Sequence, residues 1–306
     1  MKAIRIHKYG DANQLKLEEA PNLTILDDQV IVKIRDAGVN PIDWKIRAGY
    51  LKNRMLAAFP LTIGQDFSGE VVERGKHVDG FMIGHRVFGF AQGTYAEYAA
   101  APSSTVAAMP ASMSFETAAA LPTAGSTALQ IIRDVVGART GLTILIHGAA
   151  GGVGSFATQI AKHLGASVIG TASGAEDIAY LNSLRVDEVI DFKRERFEEK
   201  VQRVDAVVDL VGGDTLARSY AVIKKGGVLA TTVQPIDESA AKRAGIRGVQ
   251  VVMKRNAPDL AELANLVNQG ALKPRLGGTL TLAQAKEAQE LSETGGTRGK
   301  LILKVA

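Results

Sequence analysis

Over residues 1–117 the hydrophobic positions fall in short runs, at 2–7, 29–34, 68–74 and 86–90, that are apolar or alternate with polar positions. Connections rich in Gly, Pro and Asp, such as Asp27-Asp28 and Asp79-Gly80, separate them. A period of two marks half-buried strands, so this stretch predicts an antiparallel β domain. After Pro122 the pattern changes, and 143–147, 167–171, 188–191, 205–211, 227–232 and 249–253 are predominantly apolar. Strands apolar on both sides are buried on both faces, which predicts a parallel, doubly wound sheet covered by helices. These runs recur about every 17–24 residues with helical pattern between them, the rhythm of βαβ units. One such helix carries Val153, Ala157, Ile160, Ala161 and Leu164, an i, i+4, i+7, i+8, i+11 stripe suited to packing on a sheet. Strand signals return at 278–282 and 300–305 around an Ala/Glu/Gln-rich helix over 282–293. The tail is expected to rejoin the first domain, so the α/β chain divides into 1–117 with 280–306, and 118–279.

Composition narrows the class. The 306 residues are 46% hydrophobic and 22% charged with 32 glycines, which excludes a disordered or collagen-like chain. The N-terminus, Met1-Lys2-Ala3-Ile4-Arg5-Ile6-His7, lacks a signal-peptide core, and no run approaches the roughly 18 apolar residues of a membrane span. A cytoplasmic enzyme with no membrane partner is the expectation. The formal charge of +4 is scattered, and the clump Lys193-Arg194-Glu195-Arg196 is broken by acid and followed by Glu198-Glu199. It reads as a solvated helix start, so no nucleic-acid partner is expected. Cysteine is absent altogether, which removes disulfides, thiol nucleophiles, iron–sulfur clusters and thiolate zinc sites. The five histidines show no metal-ligand spacing, and there is no G-x-S-x-G elbow.

The strongest local signal is the run from Thr143 to Gly154, which passes from strand through a glycine turn to a helix. Gly151 lets backbone amides approach a pyrophosphate, Gly154 lets helix and strand pack closely, and the helix N-terminus offers unpaired N–H groups with a favourable dipole. Ala149 stands where the strict G-x-G-x-x-G fingerprint has its first glycine. Ala150, Gly151, Gly152 and Val153 are therefore the expected cofactor contacts. At the tip of the second strand, Ala172-Ser173-Gly174, no carboxylate is present to hold the ribose hydroxyls of NADH. Ser173 either donates to a 2′-phosphate, favouring NADPH over NADH, or caps the next helix, whose start carries Glu176-Asp177.

Several motifs, in order, carry a resemblance: Gly38-Val39-Asn40-Pro41-Ile42-Asp43 with Arg47 and Gly49, Gly64-Gln65-Asp66-Phe67-Ser68-Gly69-Glu70-Val71, Leu121-Pro122-Thr123-Ala124-Gly125-Ser126-Thr127-Ala128, the glycine turn, and Gly299-Lys300-Leu301. Over essentially its whole length the chain resembles zinc-independent members of the medium-chain dehydrogenase/reductase superfamily, in the quinone oxidoreductase and alkenal/enone reductase branch. The resemblance implies a GroES-like antiparallel β domain, a Rossmann domain, and an active site in the cleft between them. Zinc-dependent relatives hold a catalytic zinc with Cys, His and Cys, and the matching positions here are Asn40, Gln65 and Thr123. None is a good zinc ligand, so no metal is expected.

The resemblance also places Asn40, Thr127 and the segment Thr232-Val233 near the nicotinamide or its ribose; Gly212-Gly213 after Asp209-Leu210-Val211 fit the end of a strand passing the adenosine side, which makes Val211 and Gly212 expected cofactor contacts. Asn40 and Lys45 are the expected catalytic residues, Lys45 as a donor near a forming enolate or else a surface lysine touching cofactor only. Trp44 is expected to pack, and Asp66 to act as a structural carboxylate or through its neighbours. Without a Lewis acid, hydride must go to an acceptor that is already electron-poor. The expected activity is NADPH-dependent reduction of a quinone or of the β-carbon of an α,β-unsaturated carbonyl, with acceptor choice set partly by the loop over 49–59. An enoyl-thioester reductase and a non-catalytic NADPH-binding redox sensor or partner-binding protein are the alternatives. A homodimer is a family expectation.

Overall fold

The computed structural model describes residues 1–54 and 58–305, so the expected acceptor loop over 49–59 lies partly outside the described residues. The chain forms two compact units, Met1–Ser126 with Arg255–Ala306, and Thr127–Lys254.

In the first unit one sheet runs in the order Leu276–Thr281, Lys300–Lys304, Gln29–Val39, Asp66–Arg74, Arg86–Phe90 and Val106–Ala108, with Tyr98–Pro102 also paired to Gln29–Val39. A second sheet orders Lys16–Glu19, Lys2–Ile6 and Leu61–Thr62. Pairing is antiparallel except between Leu276–Thr281 and Lys300–Lys304, which run parallel. The helix Ala285–Thr294 causes the exception, because it carries the chain back to the starting end of the sheet. The short strands at 16–19, 61–62, 98–102 and 106–108 escape the hydrophobic pattern; Lys16–Glu19 buries none of its residues fully.

The central strand is longer than its apolar run. It continues to Val39, buried at Val30, Ile31, Val32 and Ile34 and again from Asp36 onward, with a register irregularity between Ile34 and Asp36. At Gly38 it crosses the helix Phe115–Ala120 so closely that a Cβ would stand 2.3 Å from the carbonyl oxygen of Ala119. Only glycine fits there, and the close crossing brings Asn40 to the start of the helix Pro41–Arg47.

The expected boundaries at 117/118 and 279/280 move to 126/127 and 254/255. The helix Ala257–Asn268 buries Leu260 and Leu263 and packs on Val106–Ala108, and Leu263 lies against Gly125. Residues 255–279 therefore share the first unit's core.

The second unit holds six parallel strands in the order Glu188–Asp191, Ser167–Ala172, Thr143–His147, Val204–Asp209, Ile223–Thr231 and Arg247–Gln250. The strand expected over 205–211 ends at Asp209, and the one expected over 249–253 lies at 247–250. In the first case the Asp209 carboxylate captures the amides of Val211 and Gly212 and turns the chain out of the sheet. The helix Gly152–His163 is buried without a break from Gly154 to Ala161, broader than the single expected stripe. The π-helical segment Gln130–Val136 packs against it. Among the described residues no helix is long and apolar enough to cross a membrane.

Candidate cofactor and acceptor sites

Gly151 is the N-cap of Gly152–His163, and no side chain caps that end. The amides of Gly152, Val153 and Gly154 belong to the first turn and have no intrahelical acceptor, so they are left for an anion. At Gly154 a Cβ would meet the carbonyl oxygen of Gly148 at 2.1 Å, so this glycine lets the turn fold onto itself. At Gly151 a Cβ would meet only that same oxygen, at 3.2 Å, and the position is exposed. The turn is thus open on its outer side, the condition a pyrophosphate needs. Ala150 is buried beneath it, and Gly152 and Val153 are half-buried.

Next along the strand ends, Asp209 organises a second turn. Its buried carboxylate accepts from the amides of Val211 (3.2 Å) and Gly212 (3.0 Å) and from the Thr231 hydroxyl (2.9 Å). The Gln234 side chain accepts from Gly213 N–H at 2.8 Å. These bonds bring Val211, Gly212, Thr232 and Val233 together at the ends of neighbouring strands, with Val233 packed where a Gly212 Cβ would stand. Thr127 lies in the helix Pro122–Leu129 and is nearly buried.

A cavity of about 420 Å³ opens beside this turn, walled by Phe192, Val211, Phe197, Arg196, Arg218 and His147. Phe192 and Val211 are more than half exposed, apolar surfaces available to a flat ring. Burial pushes the Glu198 carboxyl up, but hydrogen bonds from Arg218 and Arg196 outweigh it and hold it at about 2. His147 is buried, and loss of water pulls its pKa down to about 4. Its tautomer follows from its neighbours. Ser219 Oγ donates to Thr215 O and so accepts from His147 Nε2–H (3.1 Å), while Thr171 Oγ1, which accepts from Gly148 N–H, donates to Nδ1 (3.2 Å). A neutral imidazole with both nitrogens satisfied is a structural strut rather than an acid.

Ser173 does not cap the following helix, whose N-cap is Gly174 with no side-chain bond. Its hydroxyl instead bonds Asp191, at the end of the third strand, and with the Lys193 amide holds that carboxyl below the usual range. Arg194 Nε lies 3.6 Å from Asp191, with the side chain largely exposed. Sheet register, which pairs Ala172 with Asp191, brings these three together.

The first unit gathers a second set. Asn40 is 1% exposed, and its amide N–H donates to Asp43 Oδ2 at 2.8 Å. Asp43 also accepts from the Tyr95 hydroxyl (3.0 Å), and burial, opposed by these bonds, raises its carboxyl to about 7. Lys300 is buried, and its Nζ donates to Val39 O (2.8 Å) and to Asn40 Oδ1. Burial lowers the Lys300 pKa against the pull of Asp66 and Asp43. Asp66 accepts from Thr123 twice, from the amide at 2.9 Å and from Oγ1 at 2.5 Å. Asn40 Nδ2 is buried with no partner among the described residues. A cavity of about 250 Å³ is walled by Ile42, Ile46, Leu61 and Ile63, with Gln65 and Gln92 as polar edges. Lys45 lies on a neighbouring flank of the same helix, half-buried, its Nζ 5.5 Å from the Trp44 ring centroid. Trp44 packs edge-on against Tyr50.

Residues 26–111 match the model of the alcohol dehydrogenase GroES-like domain, and 184–303 match that of zinc-binding dehydrogenases. Over 99% of its length the chain is 34% identical to a 2-methylene-furan-3-one reductase of Solanum lycopersicum, covering 79% of that protein. The structure of a quinone oxidoreductase from Coxiella burnetii superposes with a TM-score of 0.92 at 37% identity, over 100% of this chain and 99% of that one. The chain belongs to the medium-chain dehydrogenase/reductase superfamily, in its quinone oxidoreductase branch. An Escherichia coli quinone oxidoreductase complexed with NADPH matches it at a TM-score of 0.91 and 26% identity, over all of both chains.

Against the zinc-dependent members of this superfamily, the donor set at Asn40, Gln65 and Thr123 does not fit a zinc ion. It offers no thiolate or imidazole, Thr123 is committed to Asp66, and Asn40 Oδ1 already accepts from the Lys300 ammonium, whose charge repels a cation there. Two features of this quinone oxidoreductase-branch chain lie outside the predicted site set. Asp191, with Arg194 beside it, reaches Ser173 through sheet register, and Lys300 reaches Asn40 across 260 positions of sequence. Only the motif Gly299-Lys300-Leu301 pointed toward the latter.

Proposed function

We propose that the protein is an NADPH-dependent, zinc-independent oxidoreductase that transfers hydride to a quinone or to the β-carbon of an α,β-unsaturated carbonyl. The observation that carries this reading is the composition of the Asn40 site. Where a metal would be held, it offers a buried amide donor and a buried ammonium, which suit a developing oxyanion and not a Lewis acid. The names of the similar proteins, a quinone oxidoreductase and an enone reductase, support the same acceptor class.

Bound NADPH supplies the hydride. The amides of Gly152, Val153 and Gly154, with Ala150 and Gly151 shaping the turn, take the pyrophosphate. Phe192 and Val211 flank the adenine, and Gly212, Thr232 and Val233 line the strand ends beside it. The Arg194 guanidinium takes the 2′-phosphate, and Ser173 joins it by turning its single hydroxyl proton from Asp191 to the phosphate. Asn40 and Thr127 hydrogen-bond at the nicotinamide end. Ile42, Ile46, Leu61 and Ile63 exclude water from a flat acceptor, and Lys45 donates to the oxygen that gains charge.

NADPH oxidation followed at its near-ultraviolet band, with 1,4-benzoquinones and short enones in parallel, tests this. Turnover with at least one class is expected. Tight NADPH binding without turnover of either class would overturn the enzyme reading. Equal affinity for NADH and NADPH would overturn the cofactor preference and assign Asp191 to the ribose instead.

A further inference from the structure

An Asn carboxamide has two faces of opposite character, an acceptor oxygen and a donor nitrogen, and a half-turn of the side chain exchanges them. At most sites that choice is soft. Here Asn40 is buried at the start of Pro41–Arg47, and the group against its side chain is the Lys300 ammonium. An ammonium has donors and no lone pair, so the carboxamide atom facing it must be the oxygen. Nζ is anchored in turn to Val39 O at 2.8 Å, and the Asn40 backbone to Asp43 at 2.8 Å. Three points thus fix one side chain, and the remaining group, Nδ2, is buried with no partner among the described residues. A buried donor left unpaired is costly, and an oxygen of a bound ligand would offset that cost.

We infer that Lys300 is a positioning residue that locks the Asn40 carboxamide in one orientation, making Asn40 a donor-only group for an oxygen of a bound ligand. The chemistry recognised is a lone pair on oxygen, either a ribose or carboxamide oxygen of the dinucleotide or the carbonyl oxygen of the acceptor. The inference rests on the proposed function for the identity of those ligands, but the lock itself belongs to the unliganded protein. With the lock released, the carboxamide turns part of the time and presents its oxygen to the same ligand oxygen, which repels it.

Four proteins test this: Lys300→Met, Asn40→Ala, the double variant, and Asn40→Asp. In the wild type the Asn40 side-chain NH2 gives a single pair of ¹H–¹⁵N resonances, assigned by their loss in Asn40→Ala; in Lys300→Met they broaden or double. NADPH affinity is read by quenching of Trp44, the sole tryptophan, and acceptor use by kcat and KM. Lys300→Met should cost about tenfold in whichever of the two reports the ligand oxygen, and less than about twofold more in the Asn40→Ala background. Loss in NADPH affinity assigns the oxygen to the dinucleotide; loss in kcat with affinity kept assigns it to the acceptor. Asn40→Asp keeps the bond to Lys300 and its melting temperature but has no donor, so it should lose as much as Asn40→Ala. Equal losses from Lys300→Met in both backgrounds, an unchanged NH2 signal, or full function in Asn40→Asp would each overturn the inference. If Lys300→Met does not fold, Asn40→Asp decides. If wild-type protein turns over no acceptor, the proposed function fails, while the NH2 signal still judges the lock.

Discussion

Lys45 lies on a seven-residue helix whose N-cap is Asn40, yet the two are held very differently. Asn40 is held through its backbone by Asp43 and through its side chain by Lys300, itself anchored on Val39 O, whereas the Lys45 ammonium lies 5.5 Å from the Trp44 ring centroid. An ammonium on a flexible four-carbon stem suits a group that follows charge as it forms. Lys45→Ala is therefore expected to lower kcat for enones about tenfold while changing NADPH affinity less than about twofold. Parallel losses, measured by steady-state kinetics and equilibrium titration, would reduce Lys45 to a cofactor contact. At the far end, Arg194→Ala is expected to raise KM for NADPH several-fold, roughly the value of one exposed charge-assisted contact, and to leave KM for NADH unchanged. Asn40, Gln65 and Thr123 were legible in the sequence because their chemistry departs from a Cys/His/Cys pattern. Lys300 and Asp191 were not, because what matters about each is its neighbour, and that neighbour is chosen by strand pairing.

The glycine turn and the Asp209 turn work as a pair of backbone devices. In the first, Gly154→Ala would drive a methyl to 2.1 Å from Gly148 O, with Ala149 Cα 2.9 Å away, so backbone must move. It is expected to destabilise by about 2–4 kcal/mol and to weaken NADPH binding, read by urea unfolding and Trp44 quenching. In the second, Asp209→Asn replaces one acceptor oxygen by a donor against two amides and a hydroxyl. A cost of about 1–3 kcal/mol is expected in the same unfolding measurement. The strand–turn–helix of the first device was plain from the apolar run into Gly148-Ala149-Ala150-Gly151-Gly152, a purely local pattern. The end of the strand at Asp209 was not, since Leu210 and Val211 are as apolar as the strand they leave. The parallel pairing of Leu276–Thr281 with Lys300–Lys304 was also hidden, because direction depends on the helix between them and not on either strand's own alternation.

For the molecule as a whole, buried titratable groups set opposite pH limits. His147 is neutral in the folded protein with a pKa of about 4, below the ordinary 6.5. Its contribution to stability is complete above pH 6.5 and falls as the pH drops toward 4, by an amount on the order of 3 kcal/mol. Asp43 acts in the other direction. Its folded pKa of about 7 exceeds the ordinary 3.8, so the folded state holds the extra proton and stability falls as pH rises from 4 to 7. Asp43→Asn should flatten the neutral limb and His147→Gln the acid limb of a melting temperature against pH curve. If neither limb changes, these groups do not control it. Charge counts in the sequence contain none of this, because both shifts come from burial.

The first unit is interrupted in sequence, since the strand Gln29–Val39 takes Lys300–Lys304 as a partner while 127–254 forms a unit of its own. On a ribosome Tyr98–Pro102 follows soon after to cover positions 29–33 of the central strand, but the edge at Asp36–Val39 waits bare until Lys300–Lys304 has been made. The segment 127–254, whose contacts are sequence-contiguous, has everything it requires earlier. Nascent chains arrested after residue 254 should therefore show protease resistance over 127–254 and cleavage near 36–39, and only chains extended past Lys304 should protect both.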